Sequence, residues 1–269
     1  MGCLFLVLVS VLHYPLVFSS DIPFLSHLCR QDQSLALQQL KFKLAIDDSA
    51  SADCDSNGHI PYPKTFSWNS STYCCTWDGV TCDRITGQIT GLHLNCSQLH
   101  GTIDSNSTLF RLSHLQKLNL AYNDFSPSQI SSKFGWFKSL THLNLSNSGF
   151  SGRVPSEISY LSNLISLDLS ADLEELRFGP HTFKLILQNL TQLSELYVAF
   201  TYISSALPSN FSSSLAVLNL PSTELSGIFH LPRLQKLNLG SNSDLTGHLP
   251  KIKWNSSSTL KELDLSSSG

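Results

Sequence analysis

Apolar residues along this chain recur in a short spaced motif, not in long amphipathic runs. A pair of apolar residues one position apart appears at Leu92/Leu94, Leu118/Leu120, Leu143/Leu145, Leu167/Leu169, Leu196/Val198, Leu218/Leu220, Leu237/Leu239 and Leu263/Leu265. Three residues before each pair stands another: Ile89, Leu115, Leu140, Leu164, Leu193, Leu215, Leu234 and Leu260. The motif is LxxLxL, eight times over, with steps of 26, 25, 24, 29, 22, 19 and 26 residues between successive second members. A period of two places both members on one face of a short strand and the residue between them on the other. One such strand cannot bury its apolar face alone. The spacing therefore predicts strands stacked side by side around a shared leucine interior.

Three residues beyond each pair comes a short polar side chain: Ser97, Asn123, Ser148, Asp172, Thr201, Thr223, Asn242 and Ser268. Such a residue is suited to hydrogen-bond the backbone groups left open where a coil turns. Several copies continue into a second half-motif, HGTI at 100–103, SGRVP at 151–155, SALP at 205–208 and TGHLP at 246–250. Proline there fixes an extended return segment and removes a donor. The fold class that follows is an α/β-type leucine-rich repeat solenoid. It is a right-handed coil with short parallel concave strands and an irregular or 3-10 convex side.

Upstream, residues 21–84 lack the motif. Asp32 or Ser34 can N-cap a helix running to about Ile46, with Leu37, Leu40 and Leu44 on one face. Trp68 and the run CCTWDGVTC at 74–82 follow, and a solenoid needs such a segment to cover the open end of its core. Before it, residues 4–12 are an apolar run, followed by Ser19, Ser20 and then Asp21, the form of a secretory signal cleaved near Ser20. The expected organisation is a signal at 1–20, a cap at 21–84, and about eight repeats at 85–269 with the last incomplete.

Export changes how the cysteines read. With Cys3 in the signal, six remain, Cys29, Cys54, Cys74, Cys75, Cys82 and Cys96, an even set clustered at one end. In a secreted chain that is a disulfide framework, and no CxxC spacing points to zinc. Seven N-x-S/T sequons agree with export: Asn69, Asn95, Asn106, Asn144, Asn189, Asn210 and Asn255. Charged residues make up only 14%, and a net charge of -3 argues against nucleic acid or an anionic membrane surface as partner. Nothing in the apolar pattern is long enough to span a membrane directly.

Catalytic motifs are absent: there is no GxSxG, no phosphate loop with lysine, no HExxH. Glu174 and Glu175 read as solvated loop carboxylates. His93 and His142 are taken as equivalent outward positions two coils apart, too distant to share a metal ion. The chain is read as a binding module, not an enzyme, without cofactor or metal. Outward strand positions then carry the function. They include His93 and Asn95, Ala121, Ser166, Glu195, Ala199, Glu262 and Asp264. The candidate ligand contacts are Lys117, Asn119, His142, Asp168, Tyr197, Phe200, Lys236 and Asn238, with Tyr197 and Phe200 supplying the aromatic area favoured at hot spots. Glycans on Asn95 and Asn144 would shield the first coils and direct a ligand to the later ones.

Seven stretches carry a family resemblance: ALQQLKFK (36–43), CCTWDGVTCDRITG (74–87), LNCSQLHGTI (94–103), LTHLNLSNSGFSGRVPSEI (140–158), GPHTF (179–183), NLTQLSEL (189–196) and KWNSSS (253–258). Together they resemble the plant leucine-rich repeat receptor-like proteins, particularly the tomato leaf-mould resistance group. The resemblance implies the pairs Cys29–Cys74 and Cys75–Cys82, with Cys54–Cys96 as the remaining option. It implies a kinase-lacking receptor at the plasma membrane, recognising a protein, peptide or glycan ligand and signalling in defence through membrane receptor kinases. The chain stops at Gly269 inside its eighth motif, and LSGIFHL at 225–231 lacks the usual return, so a truncated ectodomain or a non-functional gene fragment is expected. The alternative is a soluble apoplastic inhibitor similar to the polygalacturonase-inhibiting proteins.

Overall fold

The computed structural model describes residues 29–171, 176–179, 181–203, 214–223, 233–242 and 259–267. The expected signal, Asp172, Glu174, Glu175, Asn210, Asn255, Ser268, the motifs at 205–208 and 246–250, and the stretch 225–231 lie outside them. Helix α1 (Gln31–Lys43) leads into β1 (Ala45–Ile46), and β2 (Val80–Cys82) precedes the first coil. The concave strands are β3 (Ile89–His93), β5 (Lys117–Asn119), β6 (His142–Asn144), β8 (Ser166–Asp168), β10 (Glu195–Tyr197), β12 (Val217–Asn219), β13 (Lys236–Asn238) and β14 (Glu262–Asp264). Shorter strands β4 (Leu99–His100), β7 (Gly152–Val154), β9 (Leu176–Phe178) and β11 (Tyr202–Ile203) lie on the flank. Across the back run 3-10 turns such as Ser132–Trp136 and Ser156–Tyr160, and once a short helix, α2 (Thr182–Asn189).

The concave strands form one sheet in the order β14-β13-β12-β10-β8-β6-β5-β3-β2, parallel from β3 onward, with β2 antiparallel to β3. The first member of every pair is in register with the next: Leu92 with Leu118, Leu118 with Leu143, and on to Leu237 with Leu263. Bonds such as Leu120 N to Asn144 O (2.9 Å) and Val198 N to Asn219 O (2.8 Å) stitch adjacent coils. Leu92, Leu94, Leu167, Leu169, Leu218 and Leu220 are fully buried. Each such side chain contributes roughly 1.5–3 kcal/mol by leaving water. Along the back, Phe134 packs edge-on against Phe110 at 5.2 Å and against Phe150 at 6.4 Å, filling the space behind the leucines.

The polar residue after each pair satisfies turn groups in most described coils. Asn123 donates from Nδ2 to Leu94 O (2.8 Å) and Leu120 O (2.9 Å) and accepts Leu99 N at Oδ1 (3.0 Å). Asn242 repeats this with Leu220 O, Leu239 O and Thr223 N, all at 2.8 Å. Thr201 departs from the expectation, because its Oγ1 is buried without a partner.

The cap corrects the expected helix limits at both ends. Helix α1 starts at Gln31, and its N-cap is Arg30, without a side-chain cap bond. Asp32 lies in the first turn, where it pairs with Arg30 Nε at 3.2 Å. The helix stops at Lys43 because Leu44 turns extended (φ -107, ψ 132) and residues 45–46 pair antiparallel with 99–100. Sheet pairing overrides a pattern compatible with helix. Leu37, Leu40 and Leu44 are nonetheless all buried. Disulfides join Cys29 to Cys74, Cys54 to Cys96 and Cys75 to Cys82. Trp68 and Trp77 stack with centroids 5.6 Å apart, both indoles hydrogen-bonded. Gln33 Oε1 accepts Ile89 N at 2.8 Å, so α1 closes the edge of the first coil directly.

Candidate functional site: the concave strand face

On each concave strand the residues either side of the central leucine face outward, and register sorts them into two columns. The first runs Gly91, Lys117, His142, Ser166, Glu195, Val217, Lys236, Glu262; the second runs His93, Asn119, Asn144, Asp168, Tyr197, Asn219, Asn238, Asp264. His93 and His142 are therefore not equivalent. His142 partners Lys117, whereas His93 partners Asn119. They remain two strands apart, roughly 10 Å at the sheet spacing. Ala121 is also not an outward position, being 2% exposed.

The second column mostly serves the fold. Asn119 Oδ1 accepts Ala121 N (3.0 Å), Asn144 Oδ1 accepts Ser146 N (2.9 Å), Asp168 Oδ1 accepts Ser170 N (3.0 Å), Asn238 Oδ1 accepts Gly240 N (2.9 Å) and Asp264 Oδ1 accepts Ser266 N (2.9 Å). A carbonyl oxygen two residues ahead of an N–H closes an Asx turn as each strand leaves the sheet. The chain then passes through a left-handed residue, among them Tyr122 (φ 55), Asn147 (φ 47), Phe200 (φ 52) and Ser241 (φ 57). Three candidates from sequence, Asn119, Asp168 and Asn238, are thus partly committed to their own turns. The first column carries no such duty.

Three members of the second column break the rule, the first being His93, which has no Asx oxygen. At Tyr197 no Asx oxygen is present, and the turn N–H of Ala199 is taken by Ser170 Oγ of the preceding coil (3.2 Å). At Asn219 the residue two ahead is Pro221, which has no N–H to give. Asn219 Oδ1 is buried without a hydrogen-bond partner. Neither Asn219, Val217 nor Ser170 was singled out from sequence. The signal was readable in Asn-Leu-Pro at 219–221, once the Asx role of the column is known.

The coils curve around an open depression of about 390 Å³, walled by His93, Lys117 and His142 at one end and Asp168, Glu195 and Tyr197 at the other. It brings together Lys117, Asn119, His142, Asp168 and Tyr197 from the sequence candidates. Lys236, Asn238 and Phe200 fall outside it. Lys236 lies two strands past Glu195 and pairs with Glu262 at 2.8 Å. Phe200 sits beyond its strand, 46% exposed at the left-handed turn. Burial and the neighbouring Lys117 hold both His93 and His142 below the ordinary imidazole value, with Glu195 opposing this at His142. Burial raises the Asp168 carboxyl against its bonds from Ser170 and Ser146, and burial with Glu195 and Asp168 raises the Tyr197 phenol. These shifts favour the neutral imidazoles and the protonated Asp168, so the charge of the basin comes from Lys117 at one end and Glu195 at the other.

Among the sequons, Asn69, Asn106 and Asn189 stand exposed. Asn95 and Asn144 are half-buried on the concave side. Lys64 Nζ reaches Asn95 O at 2.7 Å and Asn95 Oδ1 at 3.2 Å, which fixes that side chain. The sulfurs of Cys29, Cys74 and Cys75 cluster, but all three are in disulfides, so they offer no thiolate to a metal. Among the described residues, no helix is long and apolar enough to cross a membrane.

Known proteins share this architecture. The family model described as Leucine Rich Repeat matches residues 139–161. Receptor-like protein Cf-9 of Solanum pimpinellifolium is 48% identical over 274 residues, which cover 98% of this chain and 31% of that protein. Receptor-like protein 6 of Arabidopsis thaliana is 40% identical over 250 residues, 85% of this chain and 24% of that one. The chain spans under a third of the length of these relatives. The ectodomain of the Arabidopsis receptor kinase HAESA, solved in complex with a peptide hormone, superposes with a TM-score of 0.55 at 23% identity, covering 88% of this chain and 41% of that one; that likeness is one of fold. With its registered LxxLxL ladder, its disulfide-bonded cap and 48% identity along 98% of its length, the chain belongs to the plant leucine-rich repeat receptor-like proteins.

Proposed function

We propose that this chain is the extracellular ligand-recognition part of a kinase-lacking plant receptor-like protein, and that it takes a protein or peptide on its concave strands. The observation that carries this is the basin itself: its first-column side chains hold no turn bond, with Lys117 and His142 at one end and Glu195 at the other. A surface split in sign selects partners by complementary charge and orients them on approach. Receptor-like relatives support the class, and the HAESA ectodomain, which shares the fold, holds a peptide in its complex. Resemblance to the leaf-mould resistance group supports a role in defence, with signalling handed to membrane receptor kinases at the outer face of the plasma membrane. Asn144 lines the basin, so this reading takes its sequon as unmodified, and a glycan there would block the ligand.

The test is selection of short random peptides on the secreted, glycosylated chain, followed by affinity measurement on variants. Reversing the two ends (Lys117→Glu with Glu195→Lys) is expected to weaken the selected peptides by roughly tenfold, because each reversed charge then opposes a partner selected for the wild-type sign. Peptides whose binding ignores both reversals, or no binders at all, would contradict the proposal.

A further inference from the structure

We infer that an N-linked glycan on Asn106 lies down in the groove beside it, on the outward face of helix α1, and covers the apolar side chains there. This site belongs to the cap, apart from the concave strands and whatever they bind. Helix α1 has two faces. Ala36, Leu37 and Leu40 are buried toward the core. Leu35, Gln38, Gln39 and Phe42 recur at the spacing of one helical side and line a groove of about 730 Å³. Phe42 is 92% exposed and Leu35 53%. An aromatic and an aliphatic side chain left in water on one helix face mark a surface made to be covered.

The groove carries its occupant's point of attachment. Its other wall is Asn106, Thr108 and Arg111, from the 3-10 turn Thr108–Arg111 and its approach. Asn106, Ser107 and Thr108 form a sequon. That wall is held in place: Ser107 Oγ accepts Leu109 N (3.3 Å), Thr108 Oγ1 donates to Ala36 O (2.7 Å), and Asp104 Oδ1 accepts Asn106 N (2.6 Å). Asn106 itself is exposed, and among the described residues its side-chain amide makes no hydrogen bond. The other exposed sequon asparagines are engaged, Asn69 Oδ1 by Ser71 N and Asn189 Nδ2 by Ser159 Oγ. In the transfer, Asn106 Nδ2 bonds to the anomeric carbon of the first N-acetylglucosamine, that carbon's bond to a lipid diphosphate breaks, and the amide loses one proton. The Thr108 hydroxyl that completes the sequon is buried on Ala36, so transfer precedes the docking of α1 against this turn. The sugar then fits both walls. The C–H face of a pyranose packs on the Phe42 ring, the N-acetyl methyl on Leu35, and hydroxyls meet Gln38 and Lys43. From Leu35 to Phe42 the helix rises about 10 Å, room for roughly two sugar rings end to end. Tethering at the groove's edge gives the sugar a local concentration on the order of millimolar, an advantage no free partner has.

The test uses the secreted chain made with uniform oligomannose glycans. It is treated under native conditions with a glycan-releasing amidase, and release at Asn106 is followed by peptide mass spectrometry. An amidase takes only the undocked fraction, so a groove filled about nine-tenths of the time slows release about tenfold. Phe42→Ser is expected to speed release by roughly that factor and Leu35→Ser by severalfold. Ile85→Ser, at an apolar residue 83% exposed outside the groove, should leave the rate unchanged. Far-ultraviolet circular dichroism on each variant separates loss of the contact from loss of the helix. An unmodified Asn106 overturns the inference. So does release at one rate from wild type and Phe42→Ser, which would leave the apolar face to another partner, or acceleration by Ile85→Ser equal to that by Phe42→Ser.

Discussion

One residue type in one column of the sheet is expected to have opposite effects on stability at two positions. Replacing Asn119 by Ala removes the Oδ1 that accepts Ala121 N at 3.0 Å. Ala121 is 2% exposed, so water has little access to the abandoned N–H. A typical intramolecular bond contributes about 1 kcal/mol net, and a buried group left unpaired costs about 1–3 kcal/mol. Asn119→Ala should therefore lower stability by roughly 1–3 kcal/mol. At Asn219 no bond exists to lose, and the substitution removes an unpaired buried oxygen. Asn219→Leu should leave stability unchanged or raise it by up to about 1 kcal/mol, because a β-sheet position accepts an apolar residue and the orphan disappears. Urea unfolding of the secreted chain at fixed temperature measures both. Since repeat arrays can unfold in pieces, amide hydrogen exchange at Ala121 provides the local check, with protection lost only in Asn119→Ala. Equal losses at the two positions would refute the account of the column.

Three further outcomes follow from the packing. Gly135 lies where an added Cβ would run into the Glu157 backbone carbonyl of the next coil, so Gly135→Ala should cost about 1–3 kcal/mol in unfolding free energy, as overpacking does. Asp168 has its folded pKa raised above 3.8 by burial, so the stability it contributes is complete below that value and is lost as pH rises through the folded pKa. Asp168→Asn keeps the turn acceptor without the charge, and thermal unfolding should show it more stable than wild type above that window and level with it in acid. Removing Cys29–Cys74, which spans 45 residues, should destabilise by about 1.5 kcal/mol more than removing Cys75–Cys82, which spans 7, on loop-closure grounds alone, read by paired Cys→Ser variants in denaturant.

What could be read directly from sequence was whatever depends on local spacing. The LxxLxL motif fixes inward and outward sides by its period of two, and the parallel register of Leu92 through Leu263 follows from repetition. The helix end was not readable, because residues 45–46 leave the helix to pair with 99–100, a contact more than fifty residues away in the chain. His93 and His142 were misplaced relative to each other because outward-facing is a property of one strand, whereas column is a property of the register between strands. Asn119, Asp168 and Asn238 looked like free surface polar groups, since a side chain that bonds its own backbone two residues on leaves no mark in an apolar pattern. Asn219 became conspicuous only after that bond was seen in its neighbours.

The most direct trial of the whole account is a crystal structure of the secreted chain with a selected peptide bound. The account predicts the peptide across the concave strands, over the basin between Lys117 and Glu195, with the Leu-x-Leu pairs side by side beneath it. A peptide seated on the back of the coils or on the cap, or concave strands out of that register, would contradict it.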